Sequence, residues 1–260
     1  MLHRRDDHGW VLISQPAHAW VSGQLARHWG NGPFFPSVPE EVCLAAEQHD
    51  CGFLAWEQSP TLNPATGLPH SFLEMPVPVH LELWTTGIRE MLRYGRYPAL
   101  LVSLHYTGLA RKNPAPQGSD DHARKRAFVE AQGLLQTSLT TSLKNDFYYG
   151  SICTDDRIRR DQQLVSLWDW MSLLLCSGLR ESKRVDTGHP GEAAELALSP
   201  LDASGSRVGV SPWPFRVGSV RLVCEGRRVH RPFDSEDHMR ETLRQAAPET
   251  IVTDLIHHSV

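Results

Sequence analysis

The chain has 260 residues, of which 40% are hydrophobic, so it can bury the core of one large domain. Its formal net charge is −4 and its 26 basic residues are dispersed, which argues against a nucleic-acid partner. Apolar runs too short to span a bilayer, the lack of a signal-like segment, and five scattered cysteines without a CxxC pair predict a cytoplasmic protein with no membrane partner.

The first predicted elements are a short β-hairpin, over residues 1–14, and two helices. Ser14-Gln15-Pro16 is a typical helix start, because it joins a capping serine to a proline in the first turn. The helix that follows carries His18 on the same face as its apolar residues. A second start lies at residues 37–41, where acidic side chains occupy the first turn, and this helix ends at His49-Asp50.

Longer helices are predicted in the middle of the chain, over residues 78–94, 99–109, 123–143 and 156–179. His80 falls in the first turn of the first of these helices. His105 lies in the second, within a nearly continuous apolar run that predicts full burial. Asp169 lies in the last, on the same side as its apolar stripe. A connector with proline and glycine, over residues 56–73, is expected to be a loop over the core.

The composition changes near residue 185, where glycine and proline become frequent and alternating patterns appear. Strands are predicted over 208–210, 217–224 and 251–256, with a short helix over 235–247. We therefore expect a mainly α protein whose helical domain covers residues 15–182. Residues 1–14 and 183–260 are expected to form a small β-rich cap packed on that domain.

Six residues of the predicted helical domain have side chains that can bind transition metals. In chain order they are His18, His49, Asp50, His80, His105 and Asp169. The intervals between them are long enough for a helix to return to the same core, so ligands far apart in sequence could meet. Imidazole and carboxylate donors suit Fe, Mn, Zn or Ni, and the two oxygens of Asp50 could bridge two ions. Two such ions would hold an oxyanion and activate water for hydrolysis.

Each of these residues also has a simpler explanation when it is taken alone. Asp169 could pair with one of the arginines earlier in its helix, because a buried carboxylate needs a cation or good hydrogen-bond donors. His105 could be an ordinary core histidine bonded to the backbone. His18 and His80 lie near helix starts, where a histidine could simply be exposed. The joint pattern of all six residues is what favours a metal site.

Four more residues are candidates for the surroundings of this site. Tyr106 and Arg111 follow the buried histidine into a predicted loop and are expected to bind substrate. Gln162 lies seven positions before the aspartate of the last helix, on the same face, and is assigned the same role. His28 is a substitute ligand or a partner of the ligands. For each of these residues, an ordinary surface position is an equally good explanation.

The order His, His-Asp, His, His, Asp resembles the HD superfamily of metal-dependent phosphohydrolases, in the members that add two histidines before the last aspartate. The matching segments are Pro16-Ala17-His18, residues 45–52, His80, His105-Tyr106 and Leu167-Trp168-Asp169. Nearly the whole chain, including residues 104–109 and 211–215, also resembles an uncharacterised bacterial family, DUF3891. The superfamily implies an HD-like helical bundle with two divalent transition-metal ions held by the six residues, Fe or Mn foremost and Zn, Ni or Mg as alternatives.

The resemblance leaves the reaction open between three alternatives. The first is hydrolysis of a small phosphorylated or nucleotide-like substrate at the di-metal site, with Asp50 as the catalytic residue. The second is a diiron oxygenase acting on a small polyol or phosphonate-like substrate, and the third is a non-catalytic metal- or ligand-binding module. Cyclic-dinucleotide phosphodiesterases of the superfamily continue the pair as x-Gly-Lys, whereas this chain has Cys51-Gly52-Phe53. A homodimer is left open, and no GxSxG, GxGxxG or P-loop motif favours another enzyme class.

Overall fold

A seven-stranded sheet and a layer of helices share one hydrophobic core in this protein. The computed structural model describes residues 1–32, 35–188 and 195–258. The helices are α1 (Gln15–His28), α2 (Glu40–Gln48), α3 (Leu54–Glu57), α4 (Val77–Met91), α5 (Arg96–Lys112), α6 (Asp120–Lys144), α7 (Asp155–Cys176) and α8 (Glu236–Gln245). The strands are β1 (Leu2–Asp6), β2 (Gly9–Ile13), β3 (Leu62–Asn63), β4 (Leu68–Pro69), β5 (Lys183–Asp186), β6 (Glu195–Pro200), β7 (Arg207–Ser211), β8 (Ser219–Val229) and β9 (Pro248–His257).

The large sheet joins the two ends of the chain. Its strand order is β1-β2-β8-β9-β7-β6-β5, so the N-terminal hairpin forms one side of it. β2 pairs antiparallel with β8, with Trp10 opposite Val229, and β8 pairs antiparallel with β9 from Ser219 to Arg227. β7 and β9 run parallel, while β3 and β4 form a separate two-stranded sheet. The terminal segments therefore build a single layer.

The expectation of a mainly α protein with a small β-rich cap is wrong. The fold is mixed α/β, because a seven-stranded sheet makes up one whole layer. Alternating patterns indicate several of its strands, but the pairing of β2 with β8 joins opposite ends of the chain. A local sequence pattern reports only which face of a strand is apolar. It contains no information about the size of the sheet that distant strands build together.

Over residues 219–225 of β8, one face of the sheet packs on the helices and the other faces solvent. Near the N-terminal hairpin the second face is covered by a smaller apolar cluster that includes Leu12, Val229 and Met239 of α8. Along β8, Val220, Leu222 and Cys224 are buried, whereas the residues between them are exposed. Successive side chains of a strand point to opposite faces, so this alternation marks a sheet with one covered side. The covered side lies against α1, where the Cys224 thiol approaches the carbonyl oxygen of Ala17 at 3.8 Å. The sheet thus fixes the position of the helix that carries His18.

Aromatic side chains lock α1 against α7. Trp29, which follows α1, meets Trp168 of α7 edge to face with ring centroids 5.6 Å apart, and it meets Phe215 in the same way at 5.7 Å. All three side chains are almost completely buried. Edge-to-face pairs of this kind add to the hydrophobic stabilisation and prefer a defined geometry. This cluster holds α1 and α7 side by side, so that His18 and Asp169 face a common interior.

A close approach of backbones sets the end of α2 against α4. A Cβ added at Gly52 would lie 2.1 Å from the Leu83 carbonyl oxygen and 2.6 Å from the Gly87 nitrogen, so only glycine fits there. The preceding pair His49-Asp50 is held near α4 as a result. Among the described residues, no helix is long and apolar enough to cross a membrane.

Candidate metal centre

Five of the six predicted ligands come together between four helices. His18 comes from α1, His49 and Asp50 from the end of α2, His105 from α5 and Asp169 from α7. They form two groups whose ligand atoms lie within 4.8 Å of one another: His18, His49 and Asp50, and His49, His105 and Asp169. All five side chains are buried. His49 belongs to both groups and therefore lies at the centre of the cluster.

The Nε2 atoms of three imidazoles converge on two carboxylates. His18 Nε2 lies 2.7 Å from Asp50 Oδ2. His49 Nε2 lies 3.2 Å from Asp169 Oδ1 and 3.5 Å from Asp50 Oδ2. His105 Nε2 lies 3.5 Å from the other carboxylate oxygen of Asp169. Asp169 therefore presents one oxygen to each of two histidines.

The other ring nitrogen of each histidine is held by a hydrogen bond. The partners are the Ser172 hydroxyl for His18 (2.8 Å), the Ala46 carbonyl for His49 (2.7 Å) and the Ser166 hydroxyl for His105 (2.9 Å). Ser172 donates its own proton to the Asp169 carbonyl at 2.8 Å, so it accepts from Nδ1 of His18. A hydrogen bond at Nδ1 is the usual way in which proteins orient a metal-binding imidazole.

These hydrogen bonds determine where the imidazole lone pairs point. When Nδ1 carries the proton, as in His18 and His49, a neutral ring has its lone pair on Nε2, facing a carboxylate oxygen. Two lone pairs facing each other repel, so a proton or a metal ion has to lie between them. Within the described part of the chain, Nε2 of His49 and Nε2 of His105 are buried without a hydrogen-bond partner. Imidazole and carboxylate donors fit a divalent transition-metal ion.

The pKa values of the clustered side chains also favour a bound cation. Burial alone would lower the pKa of His49, but the charges of Asp50 and Asp169 outweigh it and raise this pKa to about 9. Burial lowers the pKa of His105 to about 4, although the charge of Asp169 partly opposes the shift. Burial would raise the pKa of Asp50, but the His49 charge and the hydrogen bonds of His18 and Tyr106 hold it well below its usual range. Both aspartates therefore stay ionised.

The comparisons with known proteins give a family. The chain matches the family described as "Protein of unknown function (DUF3891)" over residues 1–231. It belongs to this family. The match confirms the sequence resemblance to DUF3891, whereas the resemblance to the HD superfamily stays a prediction. No curated protein and no solved structure matches the chain.

The sixth predicted ligand of the DUF3891 protein, His80, lies in neither group. It is half-buried in the first turn of α4, with its ring 5.7 Å from Phe53 and 4.5 Å from Trp84. Burial lowers its pKa to about 4, while the negative charge of Asp50 opposes this shift and the positive charge of Lys125 adds to it. The charges of Asp50 and Lys125 therefore act on His80 in opposite directions.

The predicted substrate residues take different positions from those expected. α5 continues to Lys112, so neither Tyr106 nor Arg111 lies in a loop. Tyr106 is fully buried, and its single hydroxyl proton is shared between Asp50 Oδ1, at 2.9 Å, and the His49 carbonyl oxygen. Arg111 is exposed in the last turn of α5. The loop prediction failed because the polar residues after position 109 resemble a loop although they continue the helix.

Two other candidates make hydrogen bonds of their own. Gln162 donates from Nε2 to the Ser166 hydroxyl at 2.9 Å, and so supports the partner of His105. His28 bonds to the Gln24 carbonyl of its own helix at 2.8 Å and is in neither ligand group. The alternative in which Asp169 pairs with an arginine of its own helix does not hold for Arg160, because Arg160 pairs with a different carboxylate, Asp161, at 2.6 Å.

Sequence reasoning missed several residues that hold the cluster in place. Gln15 donates from Nε2 to Asp50 Oδ2 at 3.1 Å, and its backbone N–H donates to both carboxylate oxygens of Glu57 at 3.0 Å. Ser166 and Ser172 orient two of the histidines. The available signal was helical spacing, since Gln15 precedes His18 by three positions and therefore shares its face.

Proposed function

We propose that this protein is a metal-dependent hydrolase of the HD-superfamily type that acts on a small phosphorylated or nucleotide-like substrate. The observation that carries the proposal is the convergence of three buried imidazole Nε2 atoms on the carboxylates of Asp50 and Asp169. Among the described residues, the Nε2 atom of His105 has no hydrogen-bond partner. A buried donor or acceptor without a partner costs about 1–3 kcal/mol. An ion bound there would compensate for that cost.

The proposed ion would be a divalent transition metal, Fe or Mn foremost. One imidazole lone pair binds one ion, so the two ligand groups that share His49 cannot both be filled through it. A second ion would have to bind the other group without His49, which leaves either His105 and Asp169 or His18 and Asp50. When bound, such ions lower the pKa of a coordinated water and stabilise negative charge on an oxyanion.

Asp50 and the two serines that orient the histidines have separate proposed roles at the centre. Asp50 stays ionised because the His49 charge and the hydrogen bonds of His18 and Tyr106 lower its pKa, so its proposed catalytic role is that of a ligand and acceptor. Ser172 and Ser166 hold the imidazoles so that their Nε2 atoms point inward.

The positive charge of Lys125 favours the proposal of a phosphorylated substrate. Its side chain is half-buried, its ammonium group donates to the Asn113 carbonyl at 2.5 Å, and its positive charge is one of the causes that lower the pKa of His80. A lysine ammonium is a common phosphate-binding group in proteins. We propose that Lys125 supplies the positive charge that the absent lysine after Gly52 would otherwise provide.

A second candidate function is an iron-dependent oxygenase. The group of His49, His105 and Asp169 combines two histidines with one carboxylate, which is the ligand set typical of non-haem Fe(II) oxygenases. The same group serves either reaction, because both need a cation with open coordination positions. The two functions differ in whether the reaction consumes dioxygen.

The first experiment measures metal content by elemental mass spectrometry in three purified proteins: the wild type, Asp169→Asn and Asp161→Asn. Asp161 is a matched control, because it is a fully buried carboxylate of the same helix whose partners are Tyr97, Arg157 and Arg160. We expect at least one Fe or Mn per chain in the wild type and in Asp161→Asn, and a loss in Asp169→Asn. No metal in the wild type after reconstitution would contradict the proposal and favour a non-catalytic binding module.

The second experiment separates the two reactions. The metal-loaded protein is incubated without oxygen with a panel of phosphomonoesters and nucleotides, and phosphate release is measured. In parallel, oxygen consumption is followed with Fe(II) and a panel of polyols and phosphonates. Phosphate release without oxygen, absent in Asp169→Asn, would support the hydrolase. Substrate-dependent oxygen uptake without phosphate release would replace it with the oxygenase.

A further inference from the structure

Gln15 is a buried polar residue that bonds to the cluster and that the predicted ligand pattern leaves out. It is the first residue of α1 and is 3% exposed. Its side-chain nitrogen donates to Asp50 Oδ2 at 3.1 Å, and its backbone N–H donates to the Glu57 carboxylate at 3.0 Å. The residue is therefore held at its backbone and at one end of its amide.

The carboxylate of Asp50 decides which way the Gln15 amide faces. An ionised carboxylate accepts hydrogen bonds and donates none, so the NH₂ end of the amide has to face it. The other end, Oε1, is left beside the same carboxylate. Oε1 is buried and has no hydrogen-bond partner among residues 1–32, 35–188 and 195–258. Buried side-chain oxygens without a donor are uncommon in folded proteins.

A second glutamine of α1 shows how such an amide is normally satisfied. Gln24 uses both ends of its amide on β8, because Oε1 accepts from the Val223 N–H at 2.9 Å and Nε2 donates to the Val223 carbonyl at 2.8 Å. Gln15 has the same side chain on the same helix, but only one of its two ends is used. The unused end belongs to an amide that is bonded to Asp50, a proposed metal ligand, and not to the sheet.

We propose that Gln15 contacts whatever binds at the centre, with Oε1 accepting a hydrogen bond from an O–H group. That group is a water molecule held at the centre or a hydroxyl of the substrate. This inference rests on the proposed metal centre. Glutamine can do both, because the NH₂ end of its amide orients Asp50 and the oxygen end accepts a hydrogen bond from the bound O–H group.

The test uses the full-length wild type, Gln15→Met and the control Gln24→Met, each titrated with Mn²⁺ alone. Methionine keeps the length of glutamine and removes both ends of the amide. Loss of the bond to Asp50 is expected to weaken Mn²⁺ binding by about 10–100-fold in Gln15→Met, since partners of metal ligands have effects of this size. The relaxation of water protons by bound Mn²⁺ reports separately on the water at the centre, and a purely structural role of Gln15 would not change it.

A second arm tests for a substrate hydroxyl. Binding of glycerol 1-phosphate and of methyl phosphate to the Mn²⁺-loaded proteins is compared, because the first carries hydroxyls and the second carries none outside its phosphate. If Oε1 reads a substrate hydroxyl, the wild type and Gln24→Met prefer glycerol 1-phosphate by roughly tenfold or more, and Gln15→Met loses this preference. If Oε1 holds water, the relaxation per bound Mn²⁺ changes in Gln15→Met alone.

Either result supports the inference and identifies the source of the O–H group. Unchanged relaxation and unchanged ligand preference in Gln15→Met, with a wild type that binds Mn²⁺, would overturn the inference and leave the metal centre standing. A wild type that binds neither Mn²⁺ nor Fe²⁺ would overturn the metal centre itself, and the inference with it.

Discussion

Replacing Tyr106 by phenylalanine removes one hydroxyl group from the cluster and little else. The Tyr106 ring stacks on Trp84 with centroids 4.9 Å apart, a contact that phenylalanine keeps. The lost hydroxyl donates to Asp50 Oδ1 at 2.9 Å and also to the His49 carbonyl. Burial and the nearby Asp50 charge raise the pKa of Tyr106 well above its usual range, so the phenol is a permanent donor in any ordinary buffer.

The size of the effect follows from the charge of the acceptor. A hydrogen bond to a charged group contributes about 1.5–3 kcal/mol, and Asp50 keeps its bonds from Gln15 and His18 in the variant. For a chain of this size, we expect the Tm of metal-free Tyr106→Phe to fall by roughly 3–12 °C. Because Asp50 is also less firmly oriented, we expect the Kd for Mn²⁺ to rise by about 10–100-fold.

Tyr97→Phe is the matched control for this variant. Tyr97 lies on the same helix, is buried, and donates to a buried carboxylate, Asp161, at 2.7 Å. Thermal unfolding should show a similar loss of stability in both variants, whereas calorimetric titration with Mn²⁺ should show weaker binding in Tyr106→Phe alone. Equal Mn²⁺ affinities in Tyr106→Phe and the wild type would refute the reasoning. An equal loss of Mn²⁺ affinity in Tyr106→Phe and Tyr97→Phe would also refute it.

Three further predictions follow from the same contacts. At pH 7.5, Mn²⁺ binding should release about one proton, because the raised pKa of His49 keeps this side chain protonated until an ion replaces the proton. Calorimetric titration in buffers of different ionisation enthalpy measures the number of protons released. A binding enthalpy that does not depend on the buffer would contradict the prediction. Gly52→Ala should lose at least roughly 2 kcal/mol of unfolding free energy in urea, because its Cβ meets the Leu83 and Gly87 backbone, and an unchanged midpoint would refute the close approach. Gly133→Ala, in α6 with open space around it, should gain up to about 1 kcal/mol in the same assay.

The kinds of residues in the site, and their places on helices, follow from the sequence alone. His49 falls at the end of α2, His80 in the first turn of α4 and Asp169 on the buried side of α7, as the helix starts and apolar stripes predict. Capping and periodicity act over one or two turns, so they can be read locally. The motifs along the chain also identify the DUF3891 family. That these residues bind a metal stays a prediction.

Only the tertiary structure decides which of these residues meet. His80 stays outside the cluster because α4 presents it to Phe53 and Trp84, although the sequence places it in the same pattern as the others. Gln15 joins the cluster because α1 packs beside the end of α2 and brings its amide to Asp50, 35 positions away. The seven-stranded sheet likewise depends on pairing between the two ends of the chain. Such contacts arise from the packing of layers, whereas periodicity describes one element at a time.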